Sequence, residues 1–289
     1  MKPLTVKEAL EWAAGILKEK NLETPVKEAG VLLAFVLSKE ISWLYAHPQD
    51  VLSPILQQKF IESIGQRADG MPFQYISHKQ EFMSLEFQVD SNCLIPRADT
   101  EILVETALAW MQEHPVQPPR VLDIGTGSGA VAVSVAHYCT HAQIDAMDLS
   151  AGALRIAEEN ARHHQVSDRI RFLRADFLSW EPQSPYAIVL SNPPYIPRNE
   201  LKDLMPGVRD FEPRMALDGG EDGLMFYRAI ALKAGKLLAP GGAVFTEVGI
   251  HQAGQVSQLY EKQGLSVRVY KDLAGIDRVV CGEKTGKYS

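Results

Sequence analysis

The sequence predicts an α/β protein, a doubly wound sheet of mostly parallel strands preceded by a smaller helical domain. Three observations lead there. From Arg120 onward, short apolar strands alternate with helical patterns through short loops, as repeated β-α units require. Residues before Gly70 carry apolar positions at helical spacing. Between the two lies an alternating run with Leu85, Phe87 and Val89 on one face. The spacing therefore divides the chain into a helical bundle over 1–78, a β-hairpin linker over 79–98 and the sheet domain over 99–289.

The bundle opens with Thr5-Val6-Lys7-Glu8, a capping box, after which Leu10, Ala13 and Leu17 recur at helical intervals. Thr24-Pro25 starts a second helix carrying Ala29, Leu32, Leu33, Val36 and Leu37. Ser42 opens a short third helix, and Ser53-Pro54 a fourth running towards Arg67. The bundle has no ligand-like cluster. A small-molecule enzyme has little use for such a module, so a docking surface for a macromolecule is favoured over a purely structural role.

Gly70-Met71-Pro72 ends the bundle, and 82–89 reads as a hairpin strand. In Leu94-Ile95-Pro96-Arg97-Ala98-Asp99-Thr100-Glu101, the acids precede a helix over 102–112 and suit its N-terminal dipole. His114-Pro115 to Pro118-Pro119 is a break. Strands are then expected over 121–124, 143–148, 170–173, 186–190, 243–248, 265–270 and 278–281. Helices are expected over 130–138, 151–163, 222–238 and 251–263.

Composition narrows the function. A hydrophobic fraction of 46% with 22% charged residues is that of a globular chain with a real core. No apolar run approaches the roughly 18 residues that span a bilayer, and the N-terminus lacks a signal-peptide core. Cys93, Cys139 and Cys281 are scattered, which points to the cytoplasm rather than to a disulfide framework. A net charge of −7 argues against direct nucleic-acid binding through a broad basic surface. His163-His164, at a helix end, reads as a solvated face rather than a metal pair, and no metal spacing is present.

The candidate site lies where ligands of such sheets bind, over the carboxyl ends of the strands. Asp123-Ile124-Gly125-Thr126-Gly127-Ser128-Gly129 joins the first strand of this domain to its helix. Nicotinamide and flavin enzymes also use a glycine-rich turn. The G-x-G-x-G spacing and the acidic Asp123 ahead of it favour S-adenosylmethionine, whose cationic methionyl end welcomes a carboxylate. Asp148 ends the next strand, where an acid accepts hydrogen bonds from ribose hydroxyls. Asp176 and Phe177 follow the third strand and would flank the adenine.

After the fourth strand comes Asn192-Pro193-Pro194-Tyr195. Two prolines remove two N–H donors, leaving the Asn192 side-chain oxygen, the carbonyls around Pro193 and the Tyr195 ring. Such a loop suits a planar group bearing an NH2. Asn192, Pro193 and Tyr195 are the expected catalytic residues, and with Pro194 the expected substrate contacts. No dedicated base is visible. The long segment between this loop and the next helix, with Glu212 and Arg214, has the length of a functional lid. The roles of Arg97, Glu212 and Arg214 stay open.

Together these motifs resemble the peptide chain release factor N(5)-glutamine methyltransferase family over nearly the whole chain. The likeness covers the helical domain, the 94–101 segment, Asp123 to Gly129 and Asn192 to Tyr195. It extends to Phe211-Glu212-Pro213, Ala216-Leu217, Gly219-Gly220, Asp222-Gly223-Leu224 and Glu247-Val248-Gly249. Ala98 departs from the family's usual proline. The resemblance implies a seven-stranded class I methyltransferase sheet with an antiparallel member in its last pair. It also implies S-adenosyl-L-methionine as cofactor and, as partner, the Gly-Gly-Gln loop of class-one release factors. The rival readings are an amino methyltransferase acting on a nucleic-acid base, one acting on a glutamine of a ribosomal protein, a nicotinamide dehydrogenase, and a binding protein on a retired methyltransferase fold.

Overall fold

The computed structural model describes residues 2–114 and 118–286, so the centre of the proline-rich break, Pro115 to Gln117, lies outside the described residues. Two units emerge. The first comprises Met1–His78 together with Pro206–Phe211, and the second Lys79–Met205 with Glu212–Ser289.

The first unit is built from helices Val6–Glu19, Pro25–Leu37, Ile41–Ala46, Pro54–Ala68 and Phe73–Ser77. Thr5 and Glu8 form the reciprocal capping box, which satisfies two otherwise orphaned backbone donors. Val6, Ala13, Leu17, Leu32, Phe60 and Ile64 meet in its core. The short helix Pro206–Arg209, far along the chain, belongs to this unit as well.

The second unit opens with β1 (Lys79–Phe82) and β2 (Leu85–Gln88), an antiparallel hairpin. The expected single strand over 82–89 is thus broken by a turn at Met83 and Ser84, at φ 51° and 57°. Neither residue announces a left-handed turn. Tertiary bonds hold it: the Met83 N–H donates to Glu101 Oε1 at 2.6 Å and the Tyr138 hydroxyl to the Met83 carbonyl.

The main sheet contains β3 (Arg120–Ile124), β4 (Gln143–Asp148), β5 (Ile170–Arg174), β6 (Tyr186–Ser191), β7 (Leu238–Glu247), β8 (Leu265–Lys271) and β9 (Asp277–Lys284). Their order is β5-β4-β3-β6-β7-β9-β8, parallel except for β9, which runs antiparallel to both neighbours. Both faces are covered, as parallel sheets demand. Val121, Ile188 and Phe245 enter one apolar cluster while Leu122, Val189 and Val244 enter the other.

Helices Glu101–Glu113, Ala130–Tyr138, Ala151–His163, Met225–Leu237 and Ala253–Glu261 complete the unit. The fourth starts later than the expected 222 because the chain must first pass close to the 192–195 loop. A side chain at Gly223 would sit 2.3 Å from the Tyr195 carbonyl. Strand β3 lies between β4 and β6, so the direction of winding reverses beside it. A crevice opens over the carboxyl ends of strands at such a point.

Candidate active site

That crevice is a cavity of about 360 Å³, within the range of small-ligand sites, and it lies wholly in the second unit. Four consecutive strand ends build it. The end of β3 contributes Asp123 to Ser128, that of β4 Asp148, that of β5 Asp176 and Phe177, and that of β6 Asn192, Pro193 and Pro194. Residues far apart in sequence are thereby brought to one lining.

The glycine loop is folded from within. Asp123 accepts a 2.6 Å hydrogen bond from the Thr126 hydroxyl, so it braces the glycine loop besides lining the cavity. Burial pushes this carboxyl up to about 7, and the nearby Asp148 adds to the rise. Gly129 approaches the next helix so closely that a Cβ would lie 2.9 Å from that of Ala157. Over Gly125 a Cβ would meet nothing within 4 Å, which leaves backbone open to a ligand. Asn160, fully buried, donates to the Ser128 and Gln88 carbonyls and accepts from the Gln88 N–H. It was not singled out in the sequence, where it reads as one more polar residue on an amphipathic helix.

Asp148 accepts from the Gly127 N–H at 2.9 Å and from the Ser150 N–H at 2.8 Å. The N-cap of the following helix is Ser150 itself, bonded to the Ala153 N–H. Each Asp148 oxygen keeps a lone pair for a hydroxyl donor, and burial shifts the group upward. Asp176 accepts from the Leu178 N–H, whereas Phe177 is buried beneath the Lys233 ammonium.

At the end of β6, the Ser191 hydroxyl donates to the Ile124 carbonyl and ties two strand ends together. The Asn192 side-chain nitrogen donates to Thr100 Oγ1 at 3.0 Å, which leaves its oxygen as an acceptor. Tyr195 lies apart from the other three residues of its loop. It is absent from the cavity lining and packs against the apolar cluster of Tyr227 and Val248, where burial raises its hydroxyl to about 12. Its carbonyl is held by Gln252 Nε2 at 3.0 Å. The lining aromatics among the described residues are Phe177 and Phe226.

The 94–101 segment also supplies lining, through Leu94, Pro96 and Thr100. Asp99 and Glu101 do not act as simple helix-end charges: Asp99 pairs with Arg278 and Glu101 holds the hairpin turn. Arg97 forms an ion pair with Glu212, whose side chain is 1% exposed, so this is no surface pair on the Glu212 side. Pro213, Met215, Ala216 and Asp218 carry the long segment after Tyr195 into the cavity wall, and Arg214 stays exposed outside the lining. His164 bonds the Glu86 carbonyl, and no group able to hold a metal occurs among the described residues.

The open glycine backbone, an acid with spare lone pairs and an apolar floor fit an adenosyl ligand bearing a cationic tail. Residues 8–77 match the family described as PrmC N-terminal domain, and residues 99–205 the Methyltransferase small domain. A release factor glutamine methyltransferase of Clostridium acetobutylicum is 38% identical over 286 residues, 98% of this chain and 100% of its own. One of Moorella thermoacetica is 41% identical over 277 residues, covering 95% and 97%. The solved structure of a methyltransferase from Pyrococcus furiosus has a similar fold, with a TM-score of 0.52 at 15% identity, covering 79% of this chain and 98% of that one.

Proposed function

This chain belongs to the release factor glutamine methyltransferase family, and from that membership we propose how its site works and what it modifies. It is an S-adenosylmethionine-dependent protein-glutamine methyltransferase. Its acceptor, in this reading, is the glutamine of the Gly-Gly-Gln loop in class-one peptide chain release factors, met in the cytoplasm. The helical unit over 1–78 serves to dock that protein, with 79–98 as linker and 99–289 as the catalytic domain.

S-adenosyl-L-methionine supplies a methyl group on a positively charged sulfur, an excellent leaving group. Asp123 and the 125–129 loop receive its methionyl end, Asp148 its ribose, and Asp176 with Phe177 its adenine. An amide nitrogen is a weak nucleophile because its lone pair is delocalised into the carbonyl. Asn192 Oδ1 and the Pro193 carbonyl each accept one N–H of the substrate carboxamide, which turns the nitrogen towards the methyl group. Proximity and alignment of this kind are worth roughly 7–11 kcal/mol. Acceptors aimed at those hydrogens also stabilise the positive charge that grows on nitrogen, so they favour the transition state over the ground state. The nitrogen would bond to the methyl carbon as the carbon–sulfur bond breaks to leave a neutral thioether, and the nitrogen would lose one proton to solvent.

The observation that carries this reading is the Asn192 amide at the cavity, its nitrogen engaged by Thr100 and its oxygen left to accept. Mass measurement of a release factor after incubation with the enzyme and the methyl donor tests it. A single added methyl on the Gly-Gly-Gln peptide is expected. Methyl transfer to RNA or to a ribosomal protein instead would move the acceptor assignment.

A further inference from the structure

Gly219-Gly220, Asp222-Gly223-Leu224 and Glu247-Val248-Gly249 contribute nothing to the cavity lining. Their glycines meet instead behind the Asn192–Tyr195 loop. A Cβ at Gly219 would lie 2.9 Å from the Pro194 carbonyl oxygen, one at Gly223 2.3 Å from that of Tyr195, and one at Gly249 3.0 Å from the Tyr195 ring. Gly223 has a positive φ of 75°, whereas Gly219 and Gly249 do not. At those two positions it is the missing side chain, not the backbone freedom, that the fold uses.

The room so left is filled by Gln252. Its Nε2 donates to the Tyr195 carbonyl at 3.0 Å and, more weakly, to the Gly223 carbonyl at 3.4 Å, and its Oε1 accepts from the Gly249 N–H at 3.0 Å. A peptide N–H only donates and a carbonyl only accepts, so both edges of this amide are assigned by their partners. Gln252 stands at the N-cap of helix Ala253–Glu261, yet its side chain makes no bond to that helix. It turns back to the loops at the strand ends. The Asn192–Tyr195 loop has a particular need of such a bond, because two of its four residues are prolines with no N–H to anchor them.

We propose that Gln252 is a positioning residue for the Asn192–Tyr195 loop, reaching it through the space left by Gly219, Gly223 and Gly249. The amide holds the Tyr195 carbonyl outside the cavity lining, and this fixes the course of the loop that keeps Asn192 and Pro193 within it. The kinetic consequence rests on the methyl-transfer reading above; the hydrogen bonds themselves do not.

The test uses the full chain. Gln252→Met keeps the length and removes all three bonds. It lowers kcat on a release factor about 10–100-fold, as a small misplacement of reacting groups does, while the KM for S-adenosylmethionine stays within about twofold. Gln252→Glu behaves likewise at about pH 8, where a carboxylate has no hydrogen for the Tyr195 carbonyl. Among carbonyls and partly buried, that carboxyl titrates high, and once protonated it donates to Tyr195 while accepting from Gly249. Its kcat relative to wild type at the same pH therefore recovers at least about fivefold between about pH 8 and pH 6, and that of Gln252→Met does not. Gly249→Ala sets a methyl group 2.8 Å from Gln252 Oε1, and its lowered kcat carries the test if the Gln252 variants do not fold. In wild-type protein labelled with nitrogen-15 glutamine, the Gln252 side-chain protons exchange with water at least about tenfold more slowly than those of the exposed Gln263. Fast exchange there overturns the proposal, as does a Gln252→Met enzyme with kcat within about twofold of wild type, or one that loses kcat and S-adenosylmethionine affinity equally. Slow exchange at Gln252 in an enzyme inactive on release factors leaves the positioning intact and overturns the acceptor assignment instead.

Discussion

Arg278 Nη2 lies 2.8 Å from Asp99 Oδ2, joining the last strand of the sheet to the turn that carries Thr100 into the cavity. The same guanidinium bonds Asp272 through its Nε at 2.9 Å, so one largely buried cation holds the terminal strand pair and the cavity wall at once. Residues separated by most of the catalytic domain thus meet at one charge.

Removing that charge should be felt in stability. Arg278→Ala takes from Asp99 and Asp272 their shared cation, Asp272 keeping only its bonds from the Ala274 and Ile276 N–H groups, and a lower unfolding midpoint is expected. Urea unfolding followed by circular dichroism measures it. A midpoint unchanged from wild type would mean the pair does no structural work.

Asn192→Ala removes the acceptor at the cavity without touching the glycine loop. Turnover should fall by at least about a thousandfold while S-adenosylmethionine affinity stays within about twofold. Calorimetry beside a methylation assay separates the two quantities, and near-normal turnover would remove Asn192 from the mechanism.

Two glycines of the loop should respond differently. Gly129→Ala drives a methyl group against Ala157 at a positive φ of 80°, and about 1–3 kcal/mol of stability should be lost. Gly125→Ala enters open space, with about 1 kcal/mol of strain from its φ of 73°. Its main effect should be on the methyl donor, bound at least about tenfold more weakly. Equal effects of both on binding and on melting temperature would contradict this division.

Burial holds Asp123 near a value of about 7, and Asp148 is raised as well. A cationic ligand favours the carboxylate forms, so binding lowers these values and releases a proton when the free acid is partly protonated. Affinity should therefore fall as pH drops below about 7, by up to about tenfold per unit for one proton. Calorimetry near pH 6 in two buffers of different ionisation enthalpy reads the released proton. Identical heats in both would show the carboxylates already ionised.

The local signals in the chain determined much of this. Apolar periodicity placed β6 and the helices Ala130–Tyr138 and Ala151–His163, because each buries a face whose spacing is written in its own residues. Glycines and acids at successive strand ends identified the cavity, since parallel winding carries every strand end to one edge. Tertiary structure alone decided the rest. The Met83-Ser84 turn, the pairing of Asp99 with Arg278, the withdrawal of Tyr195 from the cavity and the buried Glu247 all depend on partners distant in sequence. A carboxylate before a helix or a tyrosine after two prolines has the same local pattern whichever neighbour it meets. Only the folded chain supplies the neighbour, and with it the direction of each hydrogen bond.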